Sequence, residues 1–400
     1  MSNKERNNIM EQVRFGVIGV GNMGTIHSTY INAGEIEGAV LSAVCDLKED
    51  RRQWAKENLA ETVEIFTDYK EMISSGLCDA IIVAVPHYDH PRICIECLEA
   101  GINVISEKPI GVYTKQAEEL IAYAEKSDKL FGLMFNQRTN PMYRKAKQMV
   151  ENGELGKLKR CVWIITDWYR TQNYYDSGDW RATWSGEGGG VIMNQCPHQL
   201  DLWQWIFGMP TKIYAKCYEG KYHNIEVEDD VSAIAEYANG ATGAFITTTG
   251  ETPGTNRLEI TGDKGKLVIE GQSMKFTKLD VPEREWCFKE DVGGFDLPKR
   301  EEIDVDYSDC DTMKPQHKGI TQNFTDAILK GTPLMAPGKE GINGLRIANA
   351  MFLSSWLGKE VELPVDGDLF YKMLQDKIAN STYVKNVKEQ TANLDGTYGN

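Results

Sequence analysis

The sequence lacks an apolar run long enough to cross a membrane. Its longest such run, near Ala80 to Pro86, falls far short of the roughly 20 residues that a spanning helix requires. The stretch from Met1 to Gln12 is polar and charged, without the apolar core of a signal peptide. We therefore expect a cytoplasmic protein with no membrane partner.

Positive charge is also scarce. The chain of 400 residues has 44 lysines and arginines against 59 aspartates and glutamates, a formal net charge of -15. Proteins that bind phosphate backbones need clustered positive charge. The composition therefore disfavours a nucleic-acid partner.

The nine cysteines show no pattern of a disulfide framework. Most lie in apolar segments, where a cysteine behaves as a small hydrophobic residue, so we expect reduced thiols. Cys94 and Cys97 form one CxxC motif, but no second CxxC completes a zinc set. We therefore predict no metal site.

A glycine-rich turn lies near the start of the chain, between a β-branched run and a helical pattern. Its sequence is Gly19-Val20-Gly21-Asn22-Met23-Gly24. In dinucleotide-binding folds the first glycine makes the tight turn, the second lets the backbone approach the pyrophosphate and the third lets the helix pack on the strand. The helix N-terminus, at Asn22 and Met23, would then face the phosphates.

An acidic residue follows at the spacing that this hypothesis requires. Asp46 ends the second β-branched run, about twenty residues past the last glycine, where a carboxylate would bond the ribose hydroxyls. A carboxylate there repels a 2′-phosphate and favours NAD. Lys48, Arg51 and Arg52 lie close enough to leave NADP open.

Strand and helix patterns then alternate as far as Ser106, which predicts a parallel sheet in an α/β fold. Ligands of such sheets bind at the carboxyl ends of the strands. The residues at two of these ends that we expect to contact the cofactor are Val85, Pro86, His87, His90, Glu107 and Lys108.

Four motifs in this order resemble the Gfo/Idh/MocA family of dehydrogenases, from about Val13 to about Gly358. They are GVGNMGTIH, AVPHYDH, SEKPIG and GGGVIMNQCPHQLD. The resemblance implies a Rossmann domain, here residues 1–135, followed by an α/β domain of residues 136–400 with a large, open, mostly antiparallel sheet. Helical patterns within 319–357 are expected to pack back on the first domain, and the tail from Lys388 is polar.

The resemblance also assigns the lysine of the SEKPIG motif to catalysis. Lys108 matches the lysine that sits beside the nicotinamide and the substrate hydroxyl, and Pro109 matches a proline that often follows a cis peptide. A lysine near a cationic ring and partly desolvated has a lowered pKa, so it can help share the hydroxyl proton. The alternative is a surface lysine paired with Glu107.

An apolar helix is predicted from Val191 to Ile206, with Asn194 and His198 on one face. By resemblance His198 is the catalytic histidine, and Asp201 could orient it as a base. Many family members carry aspartate where this chain has Asn194. That position cannot relay a proton here, but its amide can still orient a substrate hydroxyl.

Aromatic and guanidinium side chains are concentrated just before this helix and suit a sugar or an aryl glycoside, although they could instead form core or interface. The resemblance also implies that Gln137, in the run from Phe135 to Arg138, contacts the cofactor. The expected substrate contacts are Lys108, Arg138, Tyr169, Arg170, Trp180, Arg181, Asn194 and His198.

The second half contains antiparallel patterns. Val231 to Thr249 reads as a hairpin with a type I′ turn at Asn239-Gly240, and Arg257 to Glu270 repeats the pattern. The strand Lys159 to Thr166 joins them in a sheet with one face on helices. Family members often use the other face for dimer or tetramer contacts, so we expect a homo-oligomer.

These features predict an NAD(P)-dependent dehydrogenase that oxidises a secondary hydroxyl of a sugar or glycoside, by resemblance at C3 to give a 3-keto sugar. Two alternatives stay open. One is a redox-neutral glycoside hydrolase that keeps NAD bound, and the other is a non-enzymatic cofactor- and sugar-binding sensor.

Overall fold

The computed structural model describes residues 11–387, which form two compact units. Within the described residues, the first unit comprises residues 11–110, 116–136 and 313–340. The second comprises residues 111–115, 137–312 and 341–387. One passage of the chain between the units is at 136/137, while residues 313–340, which the sequence-based division places in the second domain, belong to the first unit. The domain division stays a prediction, and the tail from Lys388 lies outside the described residues.

Strands and helices alternate through the first third of the chain. They are β1 Val13–Ile18, α1 Asn22–Asn32, β2 Ala39–Cys45, α2 Glu49–Asn58, β3 Glu64–Phe66, α3 Tyr69–Ser74, β4 Ala80–Val83, α4 His90–Glu99, β5 Asn103–Ser106, α5 Thr114–Ala124 and β6 Phe131–Leu133.

The six strands form one parallel sheet in the order β3-β2-β1-β4-β5-β6. All four residues of β4 are fully buried, as expected for a central strand covered on both faces. The strand order reverses between β1 and β4, whose carboxyl ends therefore frame the crevice where such sheets bind ligands. The predicted parallel sheet is confirmed.

The remaining elements are mainly long strands followed by helices. They are α6 Pro141–Glu151, β7 Leu158–Ile165, α7 Gln172–Asp176, α8 Val191–Asn194, α9 Pro197–Phe207, β8 Lys212–Glu219, β9 Glu228–Glu236, β10 Thr242–Thr248, β11 Asn256–Gly262, β12 Gly265–Glu270, β13 Ser273–Leu279, α10 Glu283–Cys287, β14 Arg300–Asp304, α11 Gln316–Lys330, α12 Gly341–Leu357, β15 Val361–Glu362 and α13 Gly367–Ala379.

Nine strands form the sheet of the second unit, in the order β14-β13-β12-β11-β7-β10-β9-β8-β15. Every pairing is antiparallel except that of β7 with β10. Helices α9 and α12 cover one face, where Trp163, Trp203 and Phe245 build an aromatic core. The large, mostly antiparallel sheet is as predicted.

Two local details differ from the sequence-based prediction. The hairpin of β9 and β10 is present, but its turn is not type I′, because Gly240 has φ of +81° while Asn239 has no positive φ. A type I′ turn needs positive φ at both residues. The two late helices also separate, since α11 belongs to the first unit and α12 to the second.

None of the helices within residues 11–387 is long and apolar enough to cross a membrane.

Candidate functional site

The turn between β1 and α1 requires glycine at two positions and leaves space at a third. Gly19 has φ of +90°, and a Cβ atom there would lie 2.4 Å from the Ala84 carbonyl oxygen. A Cβ on Gly24 would lie 1.7 Å from the carbonyl oxygen of Gly19, so only glycine lets α1 pack this closely. Beside Gly21 no described heavy atom lies within 4 Å of such a Cβ. That opening is where a pyrophosphate could approach the backbone.

The beginning of α1 also suits an anion. Among the described residues no side chain caps this end, and its first turn holds no acidic residue. The backbone N–H groups of Asn22 and Met23 therefore keep the donor capacity that phosphate groups use at helix N-termini.

Asp46 lies at the end of β2 and is held by the backbone. One carboxylate oxygen accepts from the N–H of Val20, at 2.7 Å, and the other from the N–H of Lys48, at 2.8 Å. The carboxylate thus lies next to the glycine turn, where it fits the ribose of a dinucleotide.

The neighbouring arginines are engaged in local contacts. Arg52 donates to the carbonyl oxygens of Asp46 and Leu47 and pairs with Glu49, while Arg51 lies 3.3 Å from Asp50. These contacts oppose the use of either guanidinium for a 2′-phosphate. The geometry supports NAD over NADP.

Lys108 follows β5 and precedes a cis peptide to Pro109. Its neighbour Glu107 is buried and accepts a 2.7 Å hydrogen bond from Nε2 of His27, whose other ring nitrogen lies 2.7 Å from the Tyr30 hydroxyl. Burial opposes the charge on Glu107, but the bond to His27 and the nearby cations lower its pKa to about 2. Glu107 therefore anchors the loop that carries Lys108 to α1.

Acid unfolding should report this buried pair. Because the pKa of Glu107 is lowered, its stabilisation is present above the unfolded value of about 4.5 and is lost as the pH falls towards 2. Across that interval the native protein should lose about 3 kcal/mol more unfolding free energy than Glu107→Gln, from 1.36 kcal/mol per pKa unit. Urea titrations at a series of pH values measure this. Equal slopes in the two proteins would contradict the assignment.

His90 connects the two strand ends that the sequence singled out. It begins α4, is buried, and places Nε2 2.7 Å from the Val85 carbonyl oxygen and Nδ1 2.7 Å from that of Pro109. Burial lowers the pKa of its imidazole. His90 thus fixes the segment after β4, which includes Pro86, to the loop after Lys108. His87 is also buried, with its ring 6.0 Å from that of His90.

In the second unit, the predicted continuous helix over 191–206 is wrong. It is two helices, because Pro197 lacks an N–H group and begins α9, while Cys196 departs from helical geometry with ψ of 6°. Asn194 therefore ends α8, and His198 lies in the first turn of α9. The i, i+4 argument for a shared helix face does not apply to them.

Asn194 is held by a carboxylate that the sequence reasoning missed. Its Nδ2 donates to Oε1 of Glu187, whose Oε2 accepts from the N–H of Ala182 at 2.6 Å. Glu187 is buried, which raises its pKa. Ala182 has φ of +59°, so Glu187 fixes both a strained loop residue and the amide of Asn194. The only sequence signal for this contact is that Glu187 carries a carboxylate seven residues before Asn194.

Arg181 and Tyr174 extend this cluster. Nη1 of Arg181 donates to the Tyr174 hydroxyl at 2.9 Å and lies 3.8 Å from Oε1 of Glu187. The guanidinium also lies over the rings of Tyr174 and Trp180, at 4.7 and 4.6 Å from their centroids. A cation, aromatic faces and an amide thus share one region of the second unit.

Asp201 pairs with Arg138. The guanidinium donates from Nε and Nη2 to the two carboxylate oxygens at 2.7 and 2.6 Å, and each side chain is only 1% exposed. The burial of the guanidinium against Asp201 favours a structural role for Arg138, whose predicted use as a substrate contact stays a prediction. The predicted orientation of His198 by Asp201 stays a prediction. Gln137, which precedes Arg138, is buried as well.

Tyr169 and Arg170 follow β7 and differ in exposure. Tyr169 is 46% exposed, whereas Arg170 is partly covered and lies over the rings of Trp168 and Tyr174. Both remain accessible enough to contact a ligand.

The residues of the CxxC motif lie in α4, where burial raises the pKa of the Cys94 thiol to about 12. Within the described residues no group of three or more His, Cys, Asp and Glu side chains is arranged to hold a metal ion.

Two family sequence models match the chain. Residues 13–135 match an oxidoreductase family described as an NAD-binding Rossmann fold, and residues 143–268 match the GFO/IDH/MocA C-terminal domain. Together they cover most of both units.

Several characterised proteins resemble the chain. The myo-inositol 2-dehydrogenase of Thermotoga maritima is 28% identical over 263 residues, which cover 64% of this chain and 75% of that one. The levoglucosan dehydrogenase of Pseudarthrobacter phenanthrenivorans is 24% identical over 297 residues, 65% of this chain and 74% of that one.

A solved structure shows the same fold. The WlbA dehydrogenase of Bordetella pertussis, in complex with NADH and UDP-GlcNAcA, superposes with a TM-score of 0.75 at 24% identity, over 89% of this chain and all of that one. The geometry of the glycine turn and of Asp46 agrees with the NAD-binding Rossmann domain that the family matches indicate. The chain belongs to the Gfo/Idh/MocA family and is an NAD-binding oxidoreductase.

Proposed function

We propose that this protein oxidises a secondary hydroxyl of a sugar or glycoside with NAD as the hydride acceptor. The observation that carries the substrate class is the cluster of Asn194, Glu187 and Arg181 beside the rings of Tyr174 and Trp180. Aromatic faces pack on sugar rings, while the polar groups bond hydroxyls. Relatives named for inositol and levoglucosan support such a substrate.

The nicotinamide, when bound, takes up the hydride of the carbinol carbon. The protein must remove the hydroxyl proton and hold the substrate. We assign proton removal to His198, aided by Lys108, and substrate orientation to Asn194. Because the carboxylate of Glu187 only accepts hydrogen bonds, Nδ2 of Asn194 must face it, and Oδ1 is the amide atom on the other side.

An absorbance assay for NADH with a panel of sugars and glycosides tests this function. We expect NADH to accumulate with at least one member, and we propose C3 as the oxidised carbon, to be identified by borodeuteride reduction and NMR of the product. Glycoside cleavage without NADH would overturn the proposal in favour of redox-neutral hydrolysis. Sugar binding without turnover would overturn it in favour of a sensor.

We also propose a homo-oligomer that uses the outer face of the nine-stranded sheet. Tyr214, Tyr218, Ile234 and Ile246 share this face and are 36 to 60% exposed. These side chains form an apolar patch rather than isolated surface residues, and such a patch can be buried against a second copy of the chain. Ile234→Glu should lower the mass measured by light scattering from dimer or tetramer towards monomer. A monomeric native protein, or an unchanged variant, would refute this.

A further inference from the structure

A cavity of about 320 Å³ opens where the only parallel strand pair of the described second-unit sheet ends. Strand β7 ends at Ile165 and β10 at Thr248, and the segments that follow them form the walls. The lining residues are Tyr169, Arg170, Thr171, Gln172, Tyr222, His223 and Gly250.

Backbone contacts fix these walls. The N–H of Arg170 donates to the Thr249 carbonyl oxygen at 2.9 Å, and Nε2 of His223 lies 2.8 Å from the carbonyl oxygen of Arg170. A Cβ on Gly250 would lie 2.3 Å from the Tyr222 ring, so the ring packs directly on this glycine. The backbone of the walls is therefore held by hydrogen bonds, and the Tyr222 ring packs against one of the walls.

The carboxylate nearest to His223 is fully engaged. Asp229 is buried and accepts from the N–H groups of Lys221, Tyr222 and His223 at 2.8 to 2.9 Å, and it lies 2.8 Å from Nδ1 of His223. Its charge is thus compensated within the loop and does not oppose an anion in the cavity.

Arg170 has donors to spare. Its guanidinium lies over the rings of Trp168 and Tyr174, at 5.5 and 5.1 Å from their centroids, and Nη1 donates to the Tyr169 carbonyl oxygen. Its Nε is buried and has no hydrogen-bond partner among the described residues. Burial raises the pKa of the nearby Asp167 carboxyl, and the charge of Arg170 opposes that rise. A buried cationic donor left unused is costly, which points to a ligand that supplies the acceptor.

We propose that this cavity is a subsite for an anionic group carried by the substrate, a carboxylate or a phosphate, which Arg170 bonds while Tyr169 and Tyr222 pack against the attached ring. The proposal rests on the proposed sugar oxidation and narrows its substrate to an acidic or phosphorylated sugar. The Tyr174 ring is a contact shared by the cavity wall and the Asn194 cluster, because the guanidinium groups of Arg170 and Arg181 lie 5.1 and 4.7 Å from its centroid.

Calorimetric titration of the 400-residue chain saturated with NAD tests the subsite. The probes are methyl β-D-glucuronide, α-D-glucose 1-phosphate and the neutral methyl β-D-glucoside. We expect an anionic probe to bind about 10- to 100-fold more tightly than the neutral one, as hydrogen bonds to charged groups allow. Preference for the glucuronide identifies a carboxylate, and preference for the other anion a phosphate.

Arg170→Gln should bring the three dissociation constants together, whereas the matched change Arg300→Gln, at an exposed arginine of β14, should leave the preference intact. Should Arg170→Gln fail to fold, Tyr169→Ala at an exposed ring should weaken all three probes alike. Equal binding by the native protein, or a preference that survives Arg170→Gln, overturns the subsite.

NADH formed from neutral sugars without any anion preference would leave the proposed function standing and the subsite refuted. An anion preference without NADH from any sugar would support the subsite and refute the proposed function.

Discussion

Replacing Lys108 with methionine, or His198 with asparagine, should lower kcat for sugar oxidation by about 100- to 10,000-fold, the usual contribution of a positioned acid or base. The reason is that each variant removes a group that can hold or accept the hydroxyl proton while keeping most of the side-chain volume. Because the loss concerns the proton, it should fall on kcat more than on KM. Steady-state NADH formation, with the best substrate of the panel, measures both constants.

The control is Lys126→Met, at an exposed lysine of the same unit, which should keep native kinetics. Fluorescence titration with NADH shows whether each variant still binds the cofactor. If Lys108→Met retains native kcat, Lys108 is the surface lysine of the alternative interpretation. If only His198→Asn is impaired, the proton passes through the histidine alone.

The sequence was sufficient for the first sheet because its information is local. Strands β2 to β6 each follow a helix, most of the strands are short buried runs, and the glycine turn fixes the first crossover. The helix over 191–206 was mispredicted because apolar periodicity continues across Pro197, although a proline at that place signals a new helix start. The predicted type I′ turn at Asn239-Gly240 was wrong because an Asn-Gly pair is compatible with more than one hairpin geometry.

The candidate site was predictable where function demands a residue type at a fixed spacing, as at Gly19, Gly24 and Asp46. It was not predictable where a long-range partner decides the role. His27 contacts Glu107, which lies 80 positions away in the sequence. Side chains so far apart meet only through the tertiary fold, and a single sequence carries no signal for them.

Arg138 and Asp201 are the clearest case of such a pair. They lie 63 positions apart, on the segment before α6 and on α9. Their two parallel bonds form a bidentate contact, and Nε2 of Gln204 donates to the same carboxylate at 3.1 Å. The guanidinium also lies over the Trp205 ring, 5.2 Å from its centroid. Two buried charges therefore depend on each other for compensation.

Asp201→Asn should consequently lower the free energy of unfolding by about 3 to 5 kcal/mol, since it leaves the charge of Arg138 buried and uncompensated. The double variant Arg138→Met with Asp201→Leu should lose less unfolding free energy than the sum of the losses of the two single variants, because no charge remains buried. Urea unfolding of the four proteins completes the double-mutant cycle. Asp376→Asn, at an exposed aspartate of α13, should change stability by no more than about 0.5 kcal/mol.

Kinetics of the same variants decide between two roles of Asp201. If it only neutralises Arg138, Asp201→Asn at temperatures well below its unfolding transition should retain kcat within a few-fold of native. If instead it orients His198, kcat should fall steeply while the stability loss stays small, because an asparagine in that place would favour the other imidazole tautomer. The bidentate contact with Arg138 favours the first result, and would make Asp201 a residue that acts on α9 as a whole by fixing it to the segment before α6.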